Sequence, residues 1–150
     1  MKEHIIEQRV WVPHPLTTIF GFFAAAENLE RITPPELGFQ VQSDLPISMR
    51  PGTLIDYRIK LHGIPMKWRT EITRWDPPHS FEDVQLRGPY AKWVHTHTFA
   101  EERGGTTIED RVVYALPFGP LGAIAHPFVR RQLKRIFAYR ESVLLREFSY

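Results

Sequence analysis

His95 and His97 stand two apart in the run Trp93-Val94-His95-Thr96-His97, whose polar and apolar alternation is that of a strand, so both imidazoles share one face. Asp83, Gln85, Asp110 and Tyr114 sit on neighbouring runs with the same alternation. A histidine beside an aspartate, with a phenol nearby, can move a proton at a ketone or another phenol, which makes Asp83, His95 and Tyr114 the candidate catalytic set. The same groups could instead orient the polar end of an apolar ligand, or satisfy one another as a purely structural row. Two histidines and a carboxylate are also the residue types of a metal site, but spacing sets no third ligand, and no metal centre is expected. No Ser-His-Asp order, phosphate-binding glycine loop or convincing pair of carboxylates occurs, and the glycine-rich spots read as turns.

Such a row must be assembled by hairpins. From Gly38 to Pro117 the pattern has period two, with turn signals at Pro51-Gly52, Gly63-Ile64, Asp76-Pro77-Pro78-His79, Gly88-Pro89 and Gly104-Gly105. The spacing predicts strands over roughly 38–44, 52–62, 65–75, 80–87, 91–103 and 106–116, after a first strand over 4–12. A two-residue turn at Gly104-Gly105 would set His97 opposite Val112, His95 opposite Tyr114 and Trp93 opposite Leu116. A two-residue turn at Gly63-Ile64 would set Tyr57 opposite Thr70, and Ile59 opposite Trp68. A four-residue turn at 76–79 pairs Ile72 with Asp83 and Thr70 with Gln85, and a three-residue connection at 88–90 pairs Asp83 with His95 and Phe81 with His97. All these pairings direct Asp83, Gln85, His95, His97, Asp110 and Tyr114 to one concave, otherwise apolar face. Unsatisfied, each polar group there would cost about 1–3 kcal/mol.

Two short helices are expected between the first two strands: one from Pro15 carrying Leu16, Ile19, Phe20 and Phe23, and one capped by Asn28 and closed by Pro34-Pro35. After a loop at Phe118-Gly119-Pro120-Leu121-Gly122, helical spacing resumes through Leu121, Ile124, Phe128, Leu133, Ile136, Phe137, Val143, Leu144 and Phe148. Pro127 is expected to kink this helix or to begin its long part. About 20 residues at 1.5 Å each would span roughly 30 Å, enough to cross the sheet. The apolar wall of an internal cavity would draw on Tyr57, Ile59, Trp68, Phe81, Trp93, Val112, Ile124, Phe128, Leu133 and Phe137, with Thr70 beside them.

At 150 residues the chain suits one domain over 1–150, with 43% hydrophobic and 24% charged residues and no apolar run near bilayer length. Met1 leads into Lys, Glu and His and then a strand-like run, so a cytoplasmic home is expected. The absence of cysteine excludes disulfides, thiolate metal sites and cysteine nucleophiles. Net charge is only +2, yet Arg130, Arg131, Lys134, Arg135, Arg140 and Arg146 crowd the segment from Pro127 to Tyr150. That run reads as the solvated face of the last helix, with transient contact to an anionic membrane surface as a further use. No nucleic-acid motif accompanies it, and no nucleic-acid partner is expected.

The order strand, two short helices, six strands, long helix coincides with Ile19-Phe20, Phe22-Phe23, Asn28-Leu29, Ile32-Thr33-Pro34, Gly88-Pro89-Tyr90, Trp93 to Phe99, and Asp110 with Tyr114 and Leu116-Pro117-Phe118-Gly119. In these residues the chain resembles the START/SRPBCC superfamily, whose relatives include lipid-transfer domains, coenzyme Q-binding proteins and polyketide aromatases/cyclases. The resemblance implies an α+β helix-grip fold: a seven-stranded curved antiparallel sheet around a long C-terminal helix, enclosing a hydrophobic cavity. It also implies a small hydrophobic ligand, lipid-, quinone- or polyketide-like, bound without a cofactor and without turnover. The alternative is a cyclase or dehydratase using Asp83, His95 and Tyr114.

Overall fold

The computed structural model describes residues 1–149; Tyr150, where the basic C-terminal run ends, lies outside the described residues. Strand β1 (His4–Val12) leads through Pro13 and Pro15 into helix α1 (Leu16–Ala24), whose Leu16, Ile19, Phe20 and Phe23 are buried at helical spacing. Two 3-10 turns follow, Ala26–Glu30 and Pro35–Leu37, and then strands β2 (Gln40–Val41), β3 (Leu54–Leu61), β4 (Ile64–Asp76), β5 (Ser80–Arg87), β6 (Lys92–Glu102) and β7 (Gly105–Ala115). Helix α2 (Gly119–Glu147) ends the fold. The strands form one antiparallel sheet in the order β1-β7-β6-β5-β4-β3-β2. The expected helix-grip arrangement of seven strands, short helices and a long C-terminal helix is therefore what the chain adopts.

The core has two parts. At one end Phe20 of α1 meets Phe99 at 5.3 Å and Phe81 at 6.0 Å in edge-to-face contacts. At the other, Trp93, Val112 and Tyr114 of the sheet pack with Leu133 and Phe137 of α2.

Three local expectations change. Asn28 does not cap a helix: Ala25 takes that position, and the Asn28 amide donates to Phe22 O at 2.8 Å, closing a carbonyl left open at the end of α1. The strand foreseen over 38–44 shrinks to two residues, because Ser43 Oγ replaces a backbone acceptor for Asp56 N–H and takes the chain out of the ladder. Helix α2 begins at Gly119 within the expected loop and runs 29 residues straight through Pro127, about 44 Å in length. Pro120 sits in its first turn, where a missing N–H costs nothing.

The hairpin registers are more instructive. The pairs Asp83 with His95 and Phe81 with His97 form as the three-residue connection requires; Ile72 with Asp83 and Thr70 with Gln85 also form, but the turn before them is three residues long, with Asp76 opposite Ser80, and a bulge between Ile72 and Arg74 restores their register. The other two turns lie one residue earlier than expected, at His62-Gly63 (φ 51° and 79°) and Arg103-Gly104 (φ 50° and 74°). A tight turn with positive φ at both central residues excludes β-branched Ile64. Gly105 is needed elsewhere: a Cβ there would lie 2.2 Å from Val12 O on the adjacent strand. Each displacement slides the partner strand by two residues and leaves every side chain on its expected face. His97 now opposes Asp110, His95 opposes Val112, and Trp93 opposes Tyr114. Replacing Gly105 with Ala is expected to cost about 2 kcal/mol in urea unfolding, since backbone must move to admit the methyl; a neutral result would remove this account of the register.

Candidate functional site

A cavity of about 170 Å³ lies between the concave face of the sheet and α2. Tyr57 and Ile59 of β3, Trp68 of β4, Phe81 of β5, Trp93 of β6, and Leu133 and Phe137 of α2 line it, all of them expected wall residues. The two 3-10 turns and the segment around β2 add Ile32, Leu37, Phe39 and Met49, which strand and helix periodicity did not reveal. At one end the lining turns polar, with Asp83, His95, His97 and Arg140 converging.

The cluster is closely bonded. His97 Nε2 lies 2.7 Å from Asp83 Oδ2, and His95 Nε2 lies 2.8 Å from Asp110 Oδ1. Arg140 Nη2 donates to the same Asp110 oxygen at 3.0 Å. The imidazoles stack at 3.7 Å, and Phe81 stacks on the other side of His97 at 4.0 Å. Arg140 also lies over the rings of Phe23 and Phe137. Thr70 Oγ1 donates to Val84 O at 3.1 Å, supporting β5 just behind Asp83.

Burial and charge pull these groups in different directions. Burial opposes ionisation of Asp110, but Arg140, His95 and His97 outweigh it and hold its carboxyl well below the usual range. Burial likewise opposes ionisation of Asp83, and the bond from His97 more than offsets it, so this carboxyl is also lowered. Burial and the neighbouring His97 push His95 down. His97 is driven down by burial but lifted further by Asp110 and Asp83, so its net shift is upward. The two lowered carboxyls thus face Arg140 and a His97 shifted toward its protonated form, with His95 shifted toward its neutral form. Because an ionised carboxylate only accepts, His95 carries its proton on Nε2 and keeps Nδ1 as an acceptor. Asp83, His95 and His97 each offer a donor atom within 4.8 Å of the others, the residue types of a metal site. A cation there would have to break the His97–Asp83 bond and sit beside Arg140, so the arrangement fits shared protons better.

Several expected site residues lie elsewhere. Tyr114 is not in the row: the two-residue slide sets it opposite Trp93, and its hydroxyl bonds His126 Nε2 at 2.9 Å. Gln85 does not enter the cavity but braces the β5–β6 loop, donating to Tyr90 O at 2.8 Å and accepting from Tyr90 N at 3.1 Å. Val112 and Asp110 are buried behind the lining. Ile124 and Phe128 are 77% and 59% exposed, outside the cavity altogether, because this part of α2 meets the sheet through His126, against His4 and Tyr114, and these two side chains lie on another side of the helix. Arg140, grouped with the solvated arginines in the sequence, is buried. Its spacing of seven from Leu133, three from Phe137 and four from Leu144 puts it in phase with the apolar stripe, a signal present in the sequence.

A family model described as Polyketide cyclase / dehydrase and lipid transport matches residues 12–138. No curated protein matches the sequence. Among solved structures, the di-domain ARO/CYC BexL from the BE-7585A biosynthetic pathway superposes with a TM-score of 0.70 at 19% identity, covering 99% of this chain and 50% of that one. Protein Ms6760 from Mycobacterium smegmatis gives 0.66 at 21% identity, over 93% of this chain and 87% of that one. Major latex-like protein 151 from Panax ginseng gives 0.67 at 9% identity, over 99% of both chains. At these identities the likeness is one of fold.

Proposed function

From the premise that this chain belongs to the polyketide cyclase/dehydrase and lipid transport family, we propose that it binds a small, largely apolar molecule carrying an acceptor oxygen, and does so without turnover. One observation carries this reading: the apolar cavity ends on a cluster of opposite charges in which Arg140 Nε is buried without a hydrogen bond, whereas His97 Nδ1 lies 3.3 Å from Asp110 Oδ1. A carbonyl or phenolate oxygen placed there would satisfy the Arg140 donor, while the ring behind it contacts Trp93, Phe137 and Trp68. Size narrows the class. A cavity of about 150 Å³ accepts benzene, so about 170 Å³ suits one substituted ring, quinone- or phenol-like, rather than a long acyl or poly-keto chain.

Native mass spectrometry of protein purified from its own host tests the binding, and thermal unfolding with 4-methylphenol and 1,4-dimethylbenzene tests the polar contact. A bound small molecule is expected, and 4-methylphenol at about one hundred times its Kd should stabilise the fold by about 2.7 kcal/mol, with 1,4-dimethylbenzene weaker at the same concentration. A protein consistently empty, and stabilised by neither compound, overturns the reading.

The opposite shifts of the two stacked histidines favour a second reading, a cyclase or dehydratase in which His95 Nδ1 takes a proton and His97 returns one. It requires that His95→Ala abolish product formation while ligand binding persists.

A further inference from the structure

We infer that the first three turns of α2 are a docking element for an anionic lipid bilayer. Residues 112–129 contain no Asp, Glu, Lys or Arg, and the helical part of this stretch is held to the body on one side only. There Gly122 closes on Pro117 O, and His126 stacks on His4 at 3.5 Å. The other side carries Leu121, Ile124 and Phe128, 71%, 77% and 59% exposed, next to Phe118 at 79%. Nothing covers them among the described residues. Ile64 at the tip of the β3–β4 hairpin, 64% exposed, lies beside this face through His62, whose ring meets Phe128 at 5.3 Å.

The same stripe continues as cations. Positions 121, 124, 128, 131 and 135 follow the three-four spacing of one helix face, so the apolar half passes directly into Arg131, with Arg130 and Lys134 alongside, and then into Arg135, which pairs with Glu36. Apolar side chains that enter the boundary of acyl chains and headgroups, followed at once by cations at phosphate level, are the makeup of an interfacial helix. Among the described residues no helix is long and apolar enough to cross a membrane. A second copy of the chain suits this face less well. Pairing the helices in parallel brings the cations together, and pairing them antiparallel buries Arg131 against the apolar stripe with no carboxylate on that stripe to meet it.

Docking so oriented would serve the cavity. A surface groove containing Phe128, His62, Arg131 and Arg135 shares Leu37, Gln132 and Ile136 with the cavity lining, so the docked face lies beside a path inward. This use rests on the ligand-binding reading above, whereas the docking itself is measured independently of any ligand.

The test is flotation of the full chain with phosphatidylcholine vesicles, with and without phosphatidylglycerol. The chain should float with the phosphatidylglycerol vesicles and lose that partition as salt rises. The double variant Leu121→Glu, Ile124→Glu alters two exposed residues, so it should keep its unfolding midpoint while its partition falls at least about tenfold. Leu133→Trp, which fills the cavity, should float like the unaltered chain. If Leu133→Trp floats but binds no ring compound, docking stands on its own; if the cavity binds its ligand and the vesicles do not capture the chain, docking alone is overturned. Equal partition of the unaltered chain and the double variant overturns it, as does a sedimentation result in which the variant merely turns a dimer into a monomer.

Discussion

Arg140→Met should destabilise the protein by about 3–5 kcal/mol near neutral pH, the largest loss expected from any single substitution in the site. Arg140 is 6% exposed and bonds an aspartate that is 2% exposed, so its removal leaves an ionised Asp110 buried with only the two histidines to offset its charge. A methionine fills much of the volume and retains contact with Phe23 and Phe137, which confines the loss to charge. Against a typical total of about 5–15 kcal/mol, this is a shift that urea unfolding reads without difficulty. Removing the second charge as well, in Arg140→Met with Asp110→Leu, should recover much of the loss, because a buried pair can be replaced by apolar groups at little cost. The gap between the unaltered protein and Arg140→Met should also close in acid. Asp110 has a lowered value in the fold, so its contribution is present above the ordinary carboxyl value of 3.8 and disappears as pH falls through the folded one. A loss under about 1 kcal/mol at neutral pH, or a gap independent of pH, would show that the cluster is not a low-dielectric charge network.

His97→Leu should cost about 3 kcal/mol, with a pH dependence that identifies the charged pair. The lower figure reflects Asp83, whose side chain is 18% exposed and retains some solvent. His97 is raised above its ordinary 6.5, so the stability it confers is fully present below 6.5 and is lost as pH rises through the folded value. Asp83 is lowered from 3.8, so its share is present above 3.8 and is lost as pH falls through the folded value. The difference between native and variant stability should therefore peak between these limits, around pH 5–6, and decline on both sides. Unfolding series in urea across that range check it. A difference that rises steadily into alkali would mean that His97 is neutral in the fold and does not pair with Asp83 and Asp110 as a cation.

Much of this site was legible before any coordinates. The β5–β6 hairpin placed Asp83 beside His95 and Phe81 beside His97, because the length of its connection settles the register, whereas in the β4–β5 hairpin a bulge between Ile72 and Arg74 makes up for a turn one residue shorter than expected. The β6–β7 hairpin was ambiguous, since Gly104 and Gly105 are equally suited to a turn in isolation. What decides is Gly105's approach to Val12 O, on a strand almost a hundred residues earlier. Tyr114 left the row for that reason, and Asp110 came to face His97. In α2 the period found the apolar stripe but not its extent. Leu133, Phe137 and Leu144 are buried, whereas Leu121 and Ile124 on the same helix are exposed.

By itself, then, the sequence determined the succession of elements, the antiparallel hairpins from β3 to β7 and the inward face of those strands. Periods of two and 3.6 are local properties, and side chains a few residues apart carry them. Only the tertiary structure decided that β1 lies beside β7, which inward groups touch, that Arg140 is a buried counter-ion and not a solvated one, and which side of the last helix stays uncovered. A slide of two residues leaves an alternating pattern unchanged, and the cost of a buried charge depends on a partner that the chain brings in from far away.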